Sequence, residues 1–368
     1  MPNMDAETLV LLVINVILFV FGSIFNTSII IYYGFKREHP LLFHIYLLNL
    51  AATDMITCII TPSHFVYDLV ASYTWNLGEA ACKIASIMGP WTVNVSSWVL
   101  TAIAFERFHG LTKPLHYRPS RKQIHILNAV IWVLSFTATL PNLIATEVTE
   151  INFTPLNSTQ EEKREKVCRP NHNDAKLEFG YAVATMLLQS VIPISCMFVA
   201  FCNIYKSMIN SEEDLVSLKD ADSNMTSVTT TVIERLKCKK QTTFKEKRAK
   251  RLAKILGVTF SVFIVCSLPY NVFYVVAMYM IRLEHNTSVG FFRYLNTWLA
   301  QLVVSNSCMN FFIYSGLDPA FKRYIKSLLG PLCKNQLSKR TPRLSTADMP
   351  LTEVPSLERM SYRGEPQI

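Results

Sequence analysis

The chain has 368 residues, half of them apolar, with a mean hydropathy of +0.24 and a formal net charge of +9. A positive average carried by apolar runs of roughly 20 residues or more excludes an ordinary soluble domain and leaves no length for a large second one. In a soluble protein the charge would point to nucleic acid. Here the basic residues stand beside the ends of the apolar runs, so membrane topology accounts for them and no nucleic-acid partner is expected.

Apolar runs occur at about 8–33, 41–68, 83–106, 124–145, 177–205, 252–281 and 291–314. Each is near or above the spanning length of ~20 residues, and most carry a few polar residues, as helices packed in a bundle do. The first run has no basic segment before it and contains Asn26, so it reads as a true first helix rather than a signal peptide. Lys36 and Arg37 follow run one, Arg107 to Lys122 separate runs three and four, 235–254 precedes run six, and Lys322, Arg323 and Lys326 follow run seven. By the positive-inside rule these loops are cytoplasmic and the N-terminus is outside. The sequons at Asn152, Asn157 and Asn286 all fall in outer loops, with Pro155 close behind the first; those at Asn26, Asn94 and Asn224 fall in helices or inside the cell.

The stretch 211–243 is polar, rich in Ser and Thr and without apolar periodicity, which reads as a flexible loop. From Asp318, an N-cap with Pro319 behind it opens an amphipathic pattern suited to a short helix on the inner membrane face. The expected organisation is an all-α integral membrane protein: 1–7 a short extracellular N-terminus, 8–317 a seven-transmembrane helix bundle with a flexible cytoplasmic loop at 206–251, 318–333 an amphipathic eighth helix, and 334–368 a disordered cytoplasmic tail. Of nine cysteines, only Cys82 and Cys168 fall outside the cell, where an oxidising compartment suggests one disulfide.

Polar groups within apolar runs are costly and therefore candidates for function. Asp54 sits in the middle of run two and Asn26 in run one; Ser96 lies in run three, and Asn306, Ser307 and Asn310 share about one turn of run seven. Two readings fit: a hydrated pocket holding a small hard cation such as sodium around one carboxylate, or a structural hydrogen-bond network between helices. Run three ends in Phe105-Glu-Arg-Phe108, where Arg107 fits either an interfacial anchor or a functional site.

At these residues the chain resembles the rhodopsin-like, or class A, G protein-coupled receptors, over about 8–333. The signatures run in order: Gly22-Ser-Ile-Phe-Asn26, Leu50-Ala-Ala-Thr-Asp54, Trp75-Asn-Leu-Gly78 before Cys82, Glu106-Arg107-Phe108, Lys113-Pro114-Leu-His-Tyr117, Trp132, Pro193, Phe263-Ile-Val-Cys-Ser-Leu-Pro269 and Asn306-Ser-Cys-Met-Asn310-Phe-Phe-Ile-Tyr314. The resemblance implies a plasma-membrane receptor that carries an extracellular signal to a heterotrimeric G protein and is not an enzyme. It implies G protein coupling through Glu106, Arg107, Phe108, Pro114 and Tyr314. It implies an allosteric sodium ion at Asp54, Ser96, Asn306, Ser307 and Asn310, with no other cofactor. It also implies the disulfide Cys82–Cys168, palmitoylation at Cys333, and phosphorylation of the tail (Ser338, Thr341, Ser345, Thr346, Thr352, Ser356) by receptor kinases for arrestin.

The chain departs from the family's pattern at several switch positions. Phe201 stands where the family usually has Tyr, Ser267 where it has Trp, and Phe311 where it has Pro. Ala249 replaces an acid that would pair with the arginine. An amine receptor would carry Asp where Gly89 stands, and an opsin Lys where Val304 stands, so neither chemistry is available. The resemblance places an outward pocket among His64, Tyr67, Asp68, Gly89, Pro90, Val93, Thr185, Gln189, Tyr270, Asn271, Tyr274, Trp298 and Gln301. It is aromatic and hydrogen-bonding with few charges. With a long charged second outer loop at 146–176, it suits a neuropeptide-like ligand, basic or amidated. The alternatives are a lipid or other small molecule, or a decoy that does not signal.

Overall fold

The computed structural model describes residues 6–36, 43–71, 74–112, 119–153, 163–170, 175–222, 229–282 and 289–338. Seven long helices form the bundle. Helix one is Ala6–Ile31 with a π turn at Tyr32–Lys36; helix two is Phe43–Val70, helix three Gly78–Thr112 and helix four Arg121–Ala145. Helix five is Ala175–Met186, a π segment Leu187–Val191 and Ile192–Asp222; helix six is Thr229–Arg282 and helix seven Val289–Leu317. Helix eight is Pro319–Ser338. The chain divides into two compact units at Lys322 and Arg323, the bundle belonging to the first and most of helix eight to the second.

Helix one packs on helices two and seven, helix seven on six, and helix six on five. Helix three runs through the middle, against helices two, four, five and six. That position explains its composition. Helices one, two, four, five and six each contain a span long and apolar enough to cross a membrane. Helix three faces protein on most sides, and its buried Thr92, Asn94, Ser96, Ser97 and Thr101 lower its hydropathy without exposing polar groups to lipid. Helix seven buries Thr297, Gln301, Asn306, Ser307 and Asn310 in the same way.

Local signals set the helix ends. Ser120 caps helix four in a capping box: Gln123 N–H donates to Ser120 Oγ and Ser120 N–H to Gln123 Oε1. Asp318 Oδ1 accepts from Ala320 N at 2.9 Å, so the aspartate caps helix eight, while Tyr33 Oη donates to its other oxygen at 2.9 Å. Gly78 adopts a φ of 82°, which starts helix three from a left-handed turn; Trp75 Nε1 donates to the Gly78 carbonyl at 2.8 Å.

Two expectations need correction. The loop expected at 206–251 is helical backbone as far as Asp222 and again from Thr229. Lys, Arg, Glu and Leu are good helix formers, and a helix that leaves the membrane keeps its internal hydrogen bonds in water, so loss of apolar periodicity does not end it. The eighth helix runs to Ser338 rather than 333, and the expected disordered tail lies outside the described residues from 339 on. The long second outer loop also contains a β-hairpin, β1 Thr146–Phe153 antiparallel to β2 Lys163–Pro170, with Val148 opposite Cys168. Cys168 is bonded to Cys82 at the start of helix three, Cα atoms 5.6 Å apart, and Trp75 N donates to the Lys166 carbonyl. The hairpin is thereby tied to the start of helix three and to the turn that precedes it.

Candidate functional site

Three polar or cationic centres lie along the bundle axis. The central one is Asp54, fully buried on helix two. Ser96 Oγ of helix three donates to one carboxylate oxygen at 3.2 Å and lies 3.1 Å from Thr53 Oγ1; Asn310 Nδ2 of helix seven donates to the other oxygen at 2.7 Å. Ser307 is buried beside the same carboxylate. Asn306 is buried on the same helix but makes no hydrogen bond to Asp54 among those described. Asn26 Nδ2 donates both to Gly22 O and to Ser307 O at 3.0 Å, joining helix one to the group. No described basic side chain pairs with Asp54. A charged carboxylate at this depth is costly unless something positive meets it. The surrounding hydroxyl, carboxylate and amide oxygens are hard donors of the kind small cations take, so these residues fit a sodium ion.

One turn above Asp54, Cys58 meets Cys308 of helix seven, with the sulfurs 3.9 Å apart. Gly22 of helix one opposes both. A Cβ there would overlap Cys58 Sγ, so only glycine lets the three helices meet.

The inner centre is Arg107, near the C-terminal end of helix three. Its Nε lies 3.1 Å from Glu106 Oε2, and its guanidinium carbon lies 3.4 Å from the centroid of the Phe43 ring. A cavity of about 30 Å³ opens beside it, lined by Phe43, Arg107, Tyr314 and apolar side chains from helices three, five and six. Phe201 of helix five lines the same cavity and packs at Gly257 of helix six, where an added Cβ would sit 3.1 Å from its ring. The cleft is therefore nearly closed in this structure. Phe108 is half-buried, its ring edge-on to His109 at 5.0 Å. Pro114 lies outside the described residues.

The outer centre holds the expected pocket residues, with unequal roles. His64 and Asp68 approach to 3.6 Å on one face of helix two, beside Trp75. The Tyr67 hydroxyl accepts from Asn76 N at 2.9 Å, so this side chain braces the first outer loop. The π segment of helix five, just ahead of Pro193, turns Gln189 and Ser190 inward: Gln189 Nε2 donates to Pro90 O, and Asn271 Nδ2 of helix six to Ser190 Oγ, both at 3.0 Å. Tyr270 and Tyr274 lie parallel with centroids 6.3 Å apart, and Thr185 lies beside Tyr181. Gly89 faces Thr61, and Val93 is half-buried. Trp298 is 36% exposed and donates to Glu7 of helix one at 3.2 Å, so it lies at the rim. Gln301 is 4% exposed, and neither of its side-chain polar atoms has a partner among the described residues. Thr61 Oγ1, Ser267 Oγ and Asn271 Oδ1 are in the same condition.

Sequence reasoning missed Phe43, Thr53 and the Gly22–Cys58–Cys308 junction. Nothing local marks Phe43, because its role depends on where helix three ends. The sequons at Asn157 and Asn286 lie outside the described residues, and the side chains of Asn152 and Cys333 are not described.

A helical membrane bundle with a polar centre, an inner arginine cleft and a disulfide-tied outer hairpin has the build of a polytopic receptor. Comparison with protein families agrees. The rhodopsin family of 7 transmembrane receptors matches residues 25–314, and the chain belongs to it. Among individual proteins, the chain is 26% identical to a bombesin receptor of Bombina orientalis, over 98% of this chain and 86% of that one. It is 22% identical to the tachykinin-like peptides receptor 86C of Drosophila melanogaster, over 78% of this chain and 52% of the relative. It is 24% identical to the neuropeptide Y receptor type 6 of Oryctolagus cuniculus over 73% and 67%, and 25% identical to the alpha-1A adrenergic receptor of Bos taurus over 88% and 69%.

Proposed function

We propose that this chain is a plasma-membrane receptor, N-terminus outside, that answers an extracellular peptide by activating a heterotrimeric G protein. The observation that carries the coupling half is the Arg107 cleft: a cation at the inner end of helix three, beside a small apolar cavity walled by helices three, five and six. When the inner end of helix six moves away, that cavity widens into a groove able to take an amphipathic helix, with Arg107 at its base. The disulfide-tied hairpin supports the orientation, since such a bond persists in an oxidising compartment.

Peptide as the ligand class is supported by the names of three relatives and by the pocket's chemistry. Gln301, Thr61, Ser267 and Asn271 hold buried hydrogen-bonding atoms without partners, which a ligand rich in amides would satisfy. Gly89 leaves no carboxylate at the position on helix three where an amine receptor would carry Asp.

Asp54, Ser96, Ser307 and Asn310 would hold a sodium ion, which supplies the positive charge the buried carboxylate lacks and ties helices two, three and seven together. Ligand and sodium then oppose each other reciprocally. Phosphorylation of the tail serines and threonines by receptor kinases would give arrestin its charged docking segment.

The test is a peptide-library screen on cells expressing the chain, reading G protein dissociation, with Arg107→Ala alongside. The expected result is a response to a peptide that Arg107→Ala weakens. Silence to every peptide from a receptor present at the surface overturns the peptide reading in favour of a lipid or other small molecule, or a decoy.

A further inference from the structure

We propose that Phe43 is a positioning residue for Arg107. In this reading it clasps the guanidinium face-on in the resting receptor and takes over the restraint that the missing acid at position 249 would supply. The inference rests on the coupling role given to Arg107 above.

The geometry is specific. The guanidinium carbon stands 3.4 Å from the ring centroid, so the planar cation lies on the ring face, where the aromatic quadrupole is negative. Glu106 holds the same group from its Nε side at 3.1 Å. Arg107 is therefore gripped on a face by helix two and on an edge by its own helix. Both Phe43 and Arg107 also line the inner cavity, so the clasp sits at the mouth that a G protein helix would enter.

The source of the restraint has a consequence. Position 249 is Ala, so helix six offers the arginine no carboxylate there. A clasp on helix two differs from one on helix six because it does not tether the element that moves. Helix two packs on helices one, three, four and seven. The clasp can thus restrain the arginine without tethering helix six, whose contacts with helix five among the described residues include Phe201 against Gly257 and Asn271 on Ser190. For Arg107 to extend across the cleft it must first leave the ring. The contact is lost only in the active state, so it weighs on the resting side of the equilibrium.

Two measurements test this on the purified full-length receptor. The first is agonist-free nucleotide exchange on a heterotrimeric G protein, comparing wild type with Phe43→Leu, which keeps the apolar bulk and removes the π face, and Phe43→Tyr, which keeps the face. Phe43→Leu is expected to raise basal exchange roughly two- to thirtyfold, the population shift that a cation–π contact commands. Phe43→Tyr is expected to stay near wild type. The second needs no G protein: a double-mutant cycle of Phe43→Leu and Arg107→Gln on thermal unfolding. Non-additive shifts are expected, Phe43→Leu lowering the midpoint less once the cation is gone. Additive shifts overturn the clasp. So does an unchanged basal exchange in Phe43→Leu when wild type exchanges normally with agonist. Non-additive shifts with no exchange from any variant, agonist included, uphold the contact and instead overturn the coupling reading.

Discussion

Asn310 of helix seven donates its side-chain amide to the Asp54 carboxylate of helix two across 2.7 Å. With Ser96 on the other carboxylate oxygen, three helices meet on a single buried anion. If a sodium ion neutralises that anion in the resting state, replacing sodium by an organic cation in the assay buffer raises agonist affinity in the wild type. The size should fall within the usual range for coupled sites, about 5- to 150-fold. Asp54→Asn removes the charge while keeping hydrogen-bonding capacity, and its affinity should no longer respond to the exchange. Radioligand competition in the two buffers reads this directly; a wild type that ignores sodium refutes it.

Gly22 tolerates no side chain. An added Cβ would overlap Cys58 Sγ, sit 2.7 Å from Cys58 Cβ and lie 3.1 Å from Cys308 Sγ, and both cysteines are buried. Gly22→Ala should destabilise the detergent-solubilised receptor by about 1–3 kcal/mol, the cost of overpacking a closed site. Adding Cys58→Ala removes the sulfur and leaves the Cβ conflict, so it should recover only part of the lost unfolding temperature. A Gly22→Ala receptor as heat-stable as the wild type would mean that helices one, two and seven do not meet this closely.

The Cys82–Cys168 bond closes a separation of 86 residues and joins the outer hairpin to helix three. Losing it frees a long stretch of the unfolded chain and should cost about 2–5 kcal/mol. Cys82→Ser is therefore expected to reach the cell surface poorly and to unfold at lower temperature. A membrane-impermeant reductant should bring the wild type down to the mutant's midpoint while leaving the mutant unchanged.

The parts of this receptor legible in its sequence were those written in single elements. Apolar runs gave the helices because each must meet lipid on at least one face, and Asp54 stood out because a carboxylate is rare in such a run. The hairpin is hard to see in the sequence although Val148, Thr149, Ile151 and Phe153 carry β propensity, because charged residues break up the alternation in that loop. The polar facing ends of helices five and six read as loop because periodicity disappears where a helix has no partner face. Phe43 over Arg107, Phe201 at Gly257 and Gly22 at Cys58 are tertiary pairs between neighbouring helices, their members far beyond the reach of any local pattern. No local pattern encodes them, and they emerge only once the helix register is known.

Phe311 occupies the position where the family usually carries proline, and the structure keeps one feature that suits a proline there. In a regular helix the Phe311 N–H bonds to the carbonyl of Ser307, four residues earlier. That carbonyl also accepts Asn26 Nδ2 at 3.0 Å, so a second donor is already in place. A proline inside a helix ordinarily costs about 3 kcal/mol, partly because it orphans this carbonyl. Here Phe311→Pro leaves Ser307 O satisfied, and the main loss is the ring stacked on Phe25 at 4.3 Å with an interplanar angle of 8°. An aromatic pair of this kind is worth about 0.5–1.5 kcal/mol beyond its buried area. Phe311→Pro should therefore cost less, relative to Phe311→Ala, than the usual ~3 kcal/mol, because the ring's clash with the Ser307 carbonyl remains but the orphaned acceptor does not. In an Asn26→Ala background the proline should cost markedly more, because the carbonyl then loses both donors. Thermal unfolding of the single and double variants decides the matter. If Phe311→Pro and Asn26→Ala add without coupling, the Asn26 amide is not covering that carbonyl, and the junction of helices one and seven rests on its other contacts, the aromatic stack and the close approach of Gly22 to Cys308.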